Sequence, residues 1–143
     1  MKIAIAADHG GFALKQKLAK HLADKDYEVL DLGTYSEESV DYPEYGKKCA
    51  EAVASGQADK GVVCCGTGIG ISIAANKVHG IRCALVTNEY MAEMTKRHND
   101  ANMLAFGGRV MTPEMAARCL DIWLNTEYEG GRHARRVAML DEM

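Results

Sequence analysis

Residues 62–77 read VVCCGTGIGISIAANK, with two cysteines running into glycines at 66, 68 and 70 before a helix-like stretch. Glycine tolerates positive φ and carries no Cβ, so such a turn can aim successive backbone N–H groups at one point. Where the turn opens a helix, the positive end of the helix dipole adds to them. Together they make a candidate anion hole from Gly66 to Gly70. The plainer reading is a tight strand–helix connection with nothing bound. A P-loop would need Lys and then Ser or Thr after the last glycine, and Ile71 follows Gly70. A dinucleotide fingerprint needs G-x-G-x-x-G, and the spacing here is G-x-G-x-G. Glu89 falls near the ribose-binding spacing, which keeps nucleotide binding open as an alternative.

Cys65 stands last on its strand and next to a helix start, a setting that can bring a thiol pKa down from about 8.5 toward neutrality. It could then act as a nucleophile or a general base. Cys49, Cys64, Cys83 and Cys119 fall in apolar-periodic positions, where cysteine is a small core residue. His9 follows Asp8 in AADHGGF, placed either to bind an anion or to cap a helix. His98, in KRHNDAN, ends a helix, where histidine often serves only as a dipole partner. His21, on a helix, and His79, in a turn, are expected to be solvated. In EGGRHARR, Arg132 and Arg136 are spaced i,i+4, so one helix face could grip a single anion such as a phosphate. A solvated basic face is the ordinary reading of that run. Arg109, after FGG, could add a guanidinium. A base of tunable pKa beside converging amide donors is the equipment for removing a proton next to a carbonyl.

These residues need a frame. KIAIAA (2–7), YEVLDLG (27–33), KGVVCC (60–65), IRCALVTN (81–88) and NMLAFG (102–107) read as buried strands, with helical periodicity between and after them. Phe12, Leu14, Leu18 and Leu22 line one helix face. Pro43 lies near a helix start and Gly56 near its end; Thr112 and Pro113 are the N-cap and first residue of another helix. Residues 131–143 read as a last one. Strictly alternating strands and helices predict an α/β fold: a five-stranded parallel sheet with helices on both faces. Ligands of such sheets bind at the strands' carboxyl ends. Asp8 and His9, Cys65 and its glycines, and Gly107 to Arg109 all fall at such ends.

The 143 residues fit one domain, spanning 1–143, with no internal repeat or linker. A formal net charge of -3 argues against a general nucleic-acid surface. Apolar runs are too short for a membrane span, and no export signal precedes the first strand. Five cysteines without a CxxC pair read as reduced thiols in the cytoplasm, which leaves a thiol-redox role little support. The histidines do not flank the cysteines at zinc-ligand spacing, and no carboxylate cluster suggests a metal, so no metal site is expected.

The segments AADHGG, DYPEY, CGTGIGISIAANK, RHNDANMLAFGGR and YEGGRHARR, in this order from Lys2 to about Arg136, resemble the B-type ribose-5-phosphate isomerases. The wider group includes galactose-6-phosphate isomerase subunits and allose-6-phosphate isomerases. The resemblance implies a Rossmann-like three-layer sandwich acting as a homodimer or dimer of dimers. It would interconvert ribose 5-phosphate and ribulose 5-phosphate without metal or organic cofactor. By the same resemblance, Cys65 would move a proton between C2 and C1 through an enediolate, with Thr67 assisting. Amides of Gly66, Gly68, Ile69 and Gly70 would hold the enediolate oxygen. His98 would open the sugar ring and Asp8 would position its hydroxyls. His9, Arg132 and Arg136 would take the phosphate, the arginines crossing from a partner subunit. Asn99, Arg109 and Tyr42 would complete the pocket. One branch of the family uses a glutamate base; Cys65 puts this chain with the cysteine branch. Galactose-6-phosphate subunits divide the catalytic residues between two different chains, whereas this one holds both Cys65 and His98, as a homomer requires. A six-carbon aldose or its 6-phosphate as substrate, and a non-catalytic phosphosugar- or nucleotide-binding module, are the alternatives.

Overall fold

Five short runs of small and branched apolar residues become five strands, because side chains that alternate between two covered faces suit a doubly buried sheet. In the computed structural model, which describes residues 1–143, these are β1 (Lys2–Ala7), β2 (Glu28–Asp31), β3 (Lys60–Cys65), β4 (Cys83–Leu85) and β5 (Met103–Gly107). The helices are α1 (Phe12–Asp24), α2 (Tyr42–Ala54), α3 (Ile69–Asn76), α4 (Glu89–Asn99), α5 (Pro113–Asn125) and α6 (Arg132–Asp141). Every strand pairing is parallel, in the order β2-β1-β3-β5-β4. The α/β expectation holds. The edge strands are shorter than their apolar runs, since β2 and β4 each have a ladder partner on one side only.

The two faces bury different chemistry. Ile3, Ile5, Ala7, Val62 and Cys64 face a layer made by α1, α4 and α5, filled by Leu14, Leu18, Leu22, Phe106, Leu120 and Trp123. Ala4, Ala6, Val63 and Cys65 face α2 and α3, where small residues dominate. The adjacent cysteines therefore point into opposite layers. Backbones come close on the small-residue side: a Cβ at Gly46 of α2 would lie 3.0 Å from the Ile71 carbonyl oxygen of α3. Helix α5 starts at the expected cap, with Thr112 Oγ1 accepting from the Met115 N–H at 3.2 Å. Buried Trp123 donates from Nε1 to the Ala101 carbonyl at 3.1 Å, tying α5 to the loop before β5. His21 is not simply solvated. Because α1 and α5 share a layer, its Nε2 meets Asp121 Oδ1 at 2.8 Å and is half-buried there.

Chain direction makes the crevice. After β1 the chain enters the α1 layer, and after neighbouring β3 it enters the α3 layer, so the two loops part at the carboxyl ends of adjacent strands. This divergence is a topological switch point. Beside it, Lys15 of α1 is fully buried, its ammonium donating to Asp31 Oδ1 and Oδ2 at 2.8 and 2.7 Å and to Gln16 Oε1 at 2.8 Å. Asp31 also accepts from the Gly33 N–H at 2.9 Å, which fixes the turn leaving β2.

Removing one partner of a buried pair strands the other charge. Asp31→Ala should therefore lower the unfolding free energy by about 3–5 kcal/mol in a denaturant titration. Lys15→Met should cost less, because the orphaned Asp31 can reach water. Equal, small losses in the two variants would contradict a dry ammonium.

Candidate active site

At the carboxyl edge, Asp8 follows β1 and is buried. Its Oδ1 accepts from the N–H groups of Gly10 at 2.8 Å and Gly11 at 3.1 Å, folding Asp-His-Gly-Gly into an Asx turn. Gly11 is obligatory, for a Cβ there would sit 2.3 Å from the Cys64 carbonyl oxygen. His9 Nδ1 accepts from the Val40 N–H at 3.2 Å. The neutral ring thus holds its proton on Nε2, an assignment inferred from that bond, and Nε2–H is left as a donor.

Cys65 ends β3 with its side chain almost closed off, and its Sγ accepts from the Gly68 N–H at 3.1 Å. Gly68 has φ +81°, and a Cβ on it would press within 2.8 Å of the Phe106 carbonyl carbon. Only glycine turns the chain back under β5 in this way. Thr67 Oγ1 accepts from the Ile69 N–H at 3.2 Å, which leaves the hydroxyl hydrogen free to donate. The N–H groups of Gly66, Thr67, Gly70 and Ile71 make no hydrogen bond within the chain. Four unpaired donors thus lie in the turn and the first residues of α3, a candidate anion hole at the place expected from the glycines. Of the five amides from Gly66 to Gly70, those of Gly68 and Ile69 are engaged by Cys65 and Thr67.

The end of β5 closes over this turn. Gly108 N–H donates to the Cys65 carbonyl at 2.8 Å and Arg109 N–H to that of Gly66 at 3.0 Å. The Arg109 guanidinium lies against Gly66, where an added Cβ would meet Nη1 at 3.0 Å, and Tyr42 lies against Gly70, 2.7 Å from the equivalent position. One edge therefore assembles Asp8, His9, Cys65 to Gly70, Arg109 and Tyr42. The other thiols sit elsewhere: Cys49, Cys64, Cys83 and Cys119 are core residues. Burial pushes Cys49 up to about 12 and raises Cys64, Cys83 and Cys119 as well.

His98, Asn99, Arg132 and Arg136 are not at that edge. Helix α4 returns the chain to the start of β5, so its last turn, with His98 and Asn99, lies at the amino ends of the strands. Six residues of β3 separate the edges, about 20 Å. Helix α6 packs on α4 and carries the two arginines. Arg82, at the start of β4, fastens this second cluster. It donates from Nε to the Asn99 carbonyl and from Nη2 to the Asp100 carbonyl, both at 2.9 Å, and pairs through Nη1 with Asp141 at the end of α6.

Glu129 and His133 join the cluster, although neither stands out in the sequence. The rings of His98 and His133 stack at 4.2 Å with 14° between their planes. Glu129 lies 3.9 Å from His98 Nε2 and 3.7 Å from His133 Nε2. The i,i+4 spacing of Glu129 and His133 was the available signal; the partner across space, His98, was not. His133 is 6% exposed, and its Nε2 has no hydrogen-bond partner. Its pKa is lowered, first by desolvation and then by His98 and Arg132.

The sequence model of the Ribose/Galactose Isomerase family matches residues 3–140. The chain is 51% identical to ribose-5-phosphate isomerase B of Escherichia coli over 136 residues, covering 95% of this chain and 91% of that one. It superposes on the ribose-5-phosphate isomerase B of Clostridium thermocellum with a TM-score of 0.98 at 57% identity, over 99% of this chain and 96% of that one. The Mycoplasma genitalium isomerase B with bound ribulose-5-phosphate is similar at TM-score 0.93 and 38% identity, over 99% and 94% of the two chains.

A depressed histidine pKa makes stability acid-labile. The unfolded chain takes up a proton near the ordinary histidine value of about 6.5, before the folded one does. The His133 contribution is thus present above that pH and is lost as pH falls through the lowered folded value. Thermal melts from pH 7.5 to pH 5 should show stability falling below about pH 6.5, with a shallower fall in His133→Gln. Parallel curves would contradict the assignment.

Proposed function

The chain belongs to the ribose/galactose isomerase family, and from that premise we propose that it interconverts D-ribose 5-phosphate and D-ribulose 5-phosphate by proton transfer at Cys65. The observation that carries this reading is the Cys65 sulfur at the switch point, bonded to the Gly68 N–H and set beside four unpaired amides. With the open-chain aldehyde in place, Cys65 thiolate takes the C2 hydrogen. The C–H electrons form a C1–C2 double bond, and the carbonyl electrons move onto O1. The amides of Gly66, Thr67, Gly70 and Ile71 face that developing oxyanion. The Cys65 thiol then returns its proton to C1, while the O2 proton passes to O1 and a C2 carbonyl forms. Asp8 accepts from sugar hydroxyls, and Arg109 and Tyr42 flank the turn.

Ring opening comes first, and it needs an acid for the ring oxygen and a base for the O1 hydroxyl. His98 serves as the acid, protonating the ring oxygen, in the copy supplied by a second subunit, while the O1 proton passes to water. The geometry supports this because one chain separates its His98 from its Cys65 by the length of β3. The amino-edge cluster of one protomer, with Asn99, Arg132 and Arg136, meets the carboxyl-edge cluster of another, so the working unit is a homodimer or a dimer of dimers. The phosphate lies between the partner arginines and His9 Nε2–H. Five free thiols suit a reducing compartment, the cytoplasm, and no helix is long and apolar enough to cross a membrane.

In a coupled assay, Cys65→Ala should lose roughly 10²–10⁴-fold in kcat while keeping the affinity for ribose 5-phosphate. Arg136→Ala should mainly raise KM, by about 1.5–3 kcal/mol in kcat/KM terms. Wild-type turnover in Cys65→Ala would end the proposal. Greater turnover of allose 6-phosphate or galactose 6-phosphate than of ribose 5-phosphate would keep the chemistry and replace the substrate.

Iodoacetamide at pH 8 should label Cys65 alone, with ribose 5-phosphate protecting it, because the other four thiols are packed in the core with their pKa raised by burial, while Cys65 ends a strand at the crevice. Peptide mapping that finds Cys49, Cys64 or Cys83 labelled in the folded protein would contradict this.

A further inference from the structure

Between the last turn of α4 and the first turn of α6 stand two imidazoles and a carboxylate that ring opening uses only in part. We propose that His98, Glu129 and His133 bind a zinc-type transition-metal ion, and that an ion seated there inhibits the enzyme by occupying His98. The inhibitory half rests on the role given to His98 above; the binding half does not.

The donor atoms of the three side chains all lie within 4.8 Å of one another. Glu129 lies beside the stacked pair, near the Nε2 of each ring, Oε2 3.9 Å from His98 Nε2 and Oε1 3.7 Å from His133 Nε2. Both distances are too long for hydrogen bonds, so the carboxylate pairs with neither nitrogen. His133 Nε2 is the sharper case, since it is enclosed, on a ring only 6% exposed, and has no partner at all. A tetrahedral ion with bonds of about 2.0–2.2 Å holds its ligands roughly 3.3–3.5 Å apart. Closing the present spacing, up to 4.8 Å between donor atoms, takes movements of up to about 1.4 Å. It also takes a tilt of the two stacked rings, now 14° from parallel, that lets their lone pairs converge.

The frame for this movement already exists. Glu129 N–H donates to the Arg97 carbonyl at 3.1 Å and His133 N–H to that of Gly130 at 3.0 Å. Arg82 grips the end of α4 through the Asn99 and Asp100 carbonyls. His98 is 37% exposed in the single chain, and in the proposed dimer it faces the substrate crevice, so an ion enters by the way the sugar phosphate does. Two imidazoles and a carboxylate with a fourth position open to water make an open zinc site, and imidazole nitrogen disfavours magnesium and calcium. Arg97, which contacts Glu129 at 3.6 Å, and the neighbouring Arg132 and Arg136 oppose a dication. The site therefore suits reversible occupation rather than a resident structural ion.

The test uses the full-length protein and Zn²⁺ itself. Equilibrium dialysis of wild type, His133→Gln, Glu129→Gln and Cys65→Ser should give about one Zn²⁺ per chain in wild type. Affinity should fall at least about tenfold in His133→Gln and Glu129→Gln and stay unchanged in Cys65→Ser. Circular dichroism confirms that each variant is folded, and Co²⁺ substitution should give the visible spectrum of a tetrahedral site. Zinc should inhibit wild-type isomerisation, with EDTA restoring it. Binding that survives both ligand substitutions, or is lost only in Cys65→Ser, overturns the site. Zinc bound at these side chains in a protein that turns over no sugar phosphate leaves the site standing and sinks the isomerase reading. Isomerisation without zinc binding does the reverse.

Discussion

A parallel sheet has two unlike edges, and this chain places different chemistry on each. Strands deliver their last residues to one edge; the helices that bring the chain back deliver theirs to the other. Cys65 is a strand end and His98 a helix end, so the direction of the strands puts them at opposite edges of the sheet, which β3 spans over about 20 Å. Rotamer changes cannot bridge that gap. In the function proposed above the two groups meet only across a pair of copies, and α6, laid on α4, carries Arg132 and Arg136 on the same side as His98.

The carboxyl edge is built almost wholly from backbone. The ends of β1, β3 and β5 are laced together by the Asp8 N–H bond to the Cys64 carbonyl and by the Gly108 and Arg109 N–H bonds to those of Cys65 and Gly66. Such contact demands bare Cα atoms at Gly11, Gly68 and Gly107, each of which would drive a Cβ into another segment's backbone. The result is rigidity around one sulfur and four open amides, the preorganisation that an oxyanion requires. The amino edge is built from side chains instead. Arg82 holds two carbonyls and a carboxylate, while His98, His133 and Glu129 face one another with gaps still open. That difference explains why one cluster reads as a fixed reaction centre and the other as adjustable.

Local signals were legible in the sequence wherever physics is local. Thr112 and Pro113 start α5 because a hydroxyl cap and a fixed φ act within one turn, and the Gly66–Gly70 spacing marked the amide nest for the same reason. The carboxyl-edge residues could be grouped from strand ends alone, because all parallel strands finish on one side. What stayed hidden depends on which helices become neighbours. Lys15 reads as one of several helix lysines, yet Asp31 lies opposite it in space and the pair is buried. His21 reads as solvated until α5 arrives with Asp121. His133 lies beside two arginines in the sequence and gives no hint that it stacks on His98. Family resemblance placed His98 and Cys65 in one reaction; the topology sets them at opposite edges of the sheet in one chain.

The most direct measurement mixes two disabled chains. Cys65→Ala and His98→Gln variants, each inactive alone, are unfolded together and refolded as hybrids, and ribose 5-phosphate turnover is recorded. If sites are shared between subunits, random pairing restores one intact site in each mixed dimer, up to about a quarter of wild-type activity. If both groups serve within one chain, every site in every hybrid lacks one of them, and a mixture as inactive as its components would contradict the account.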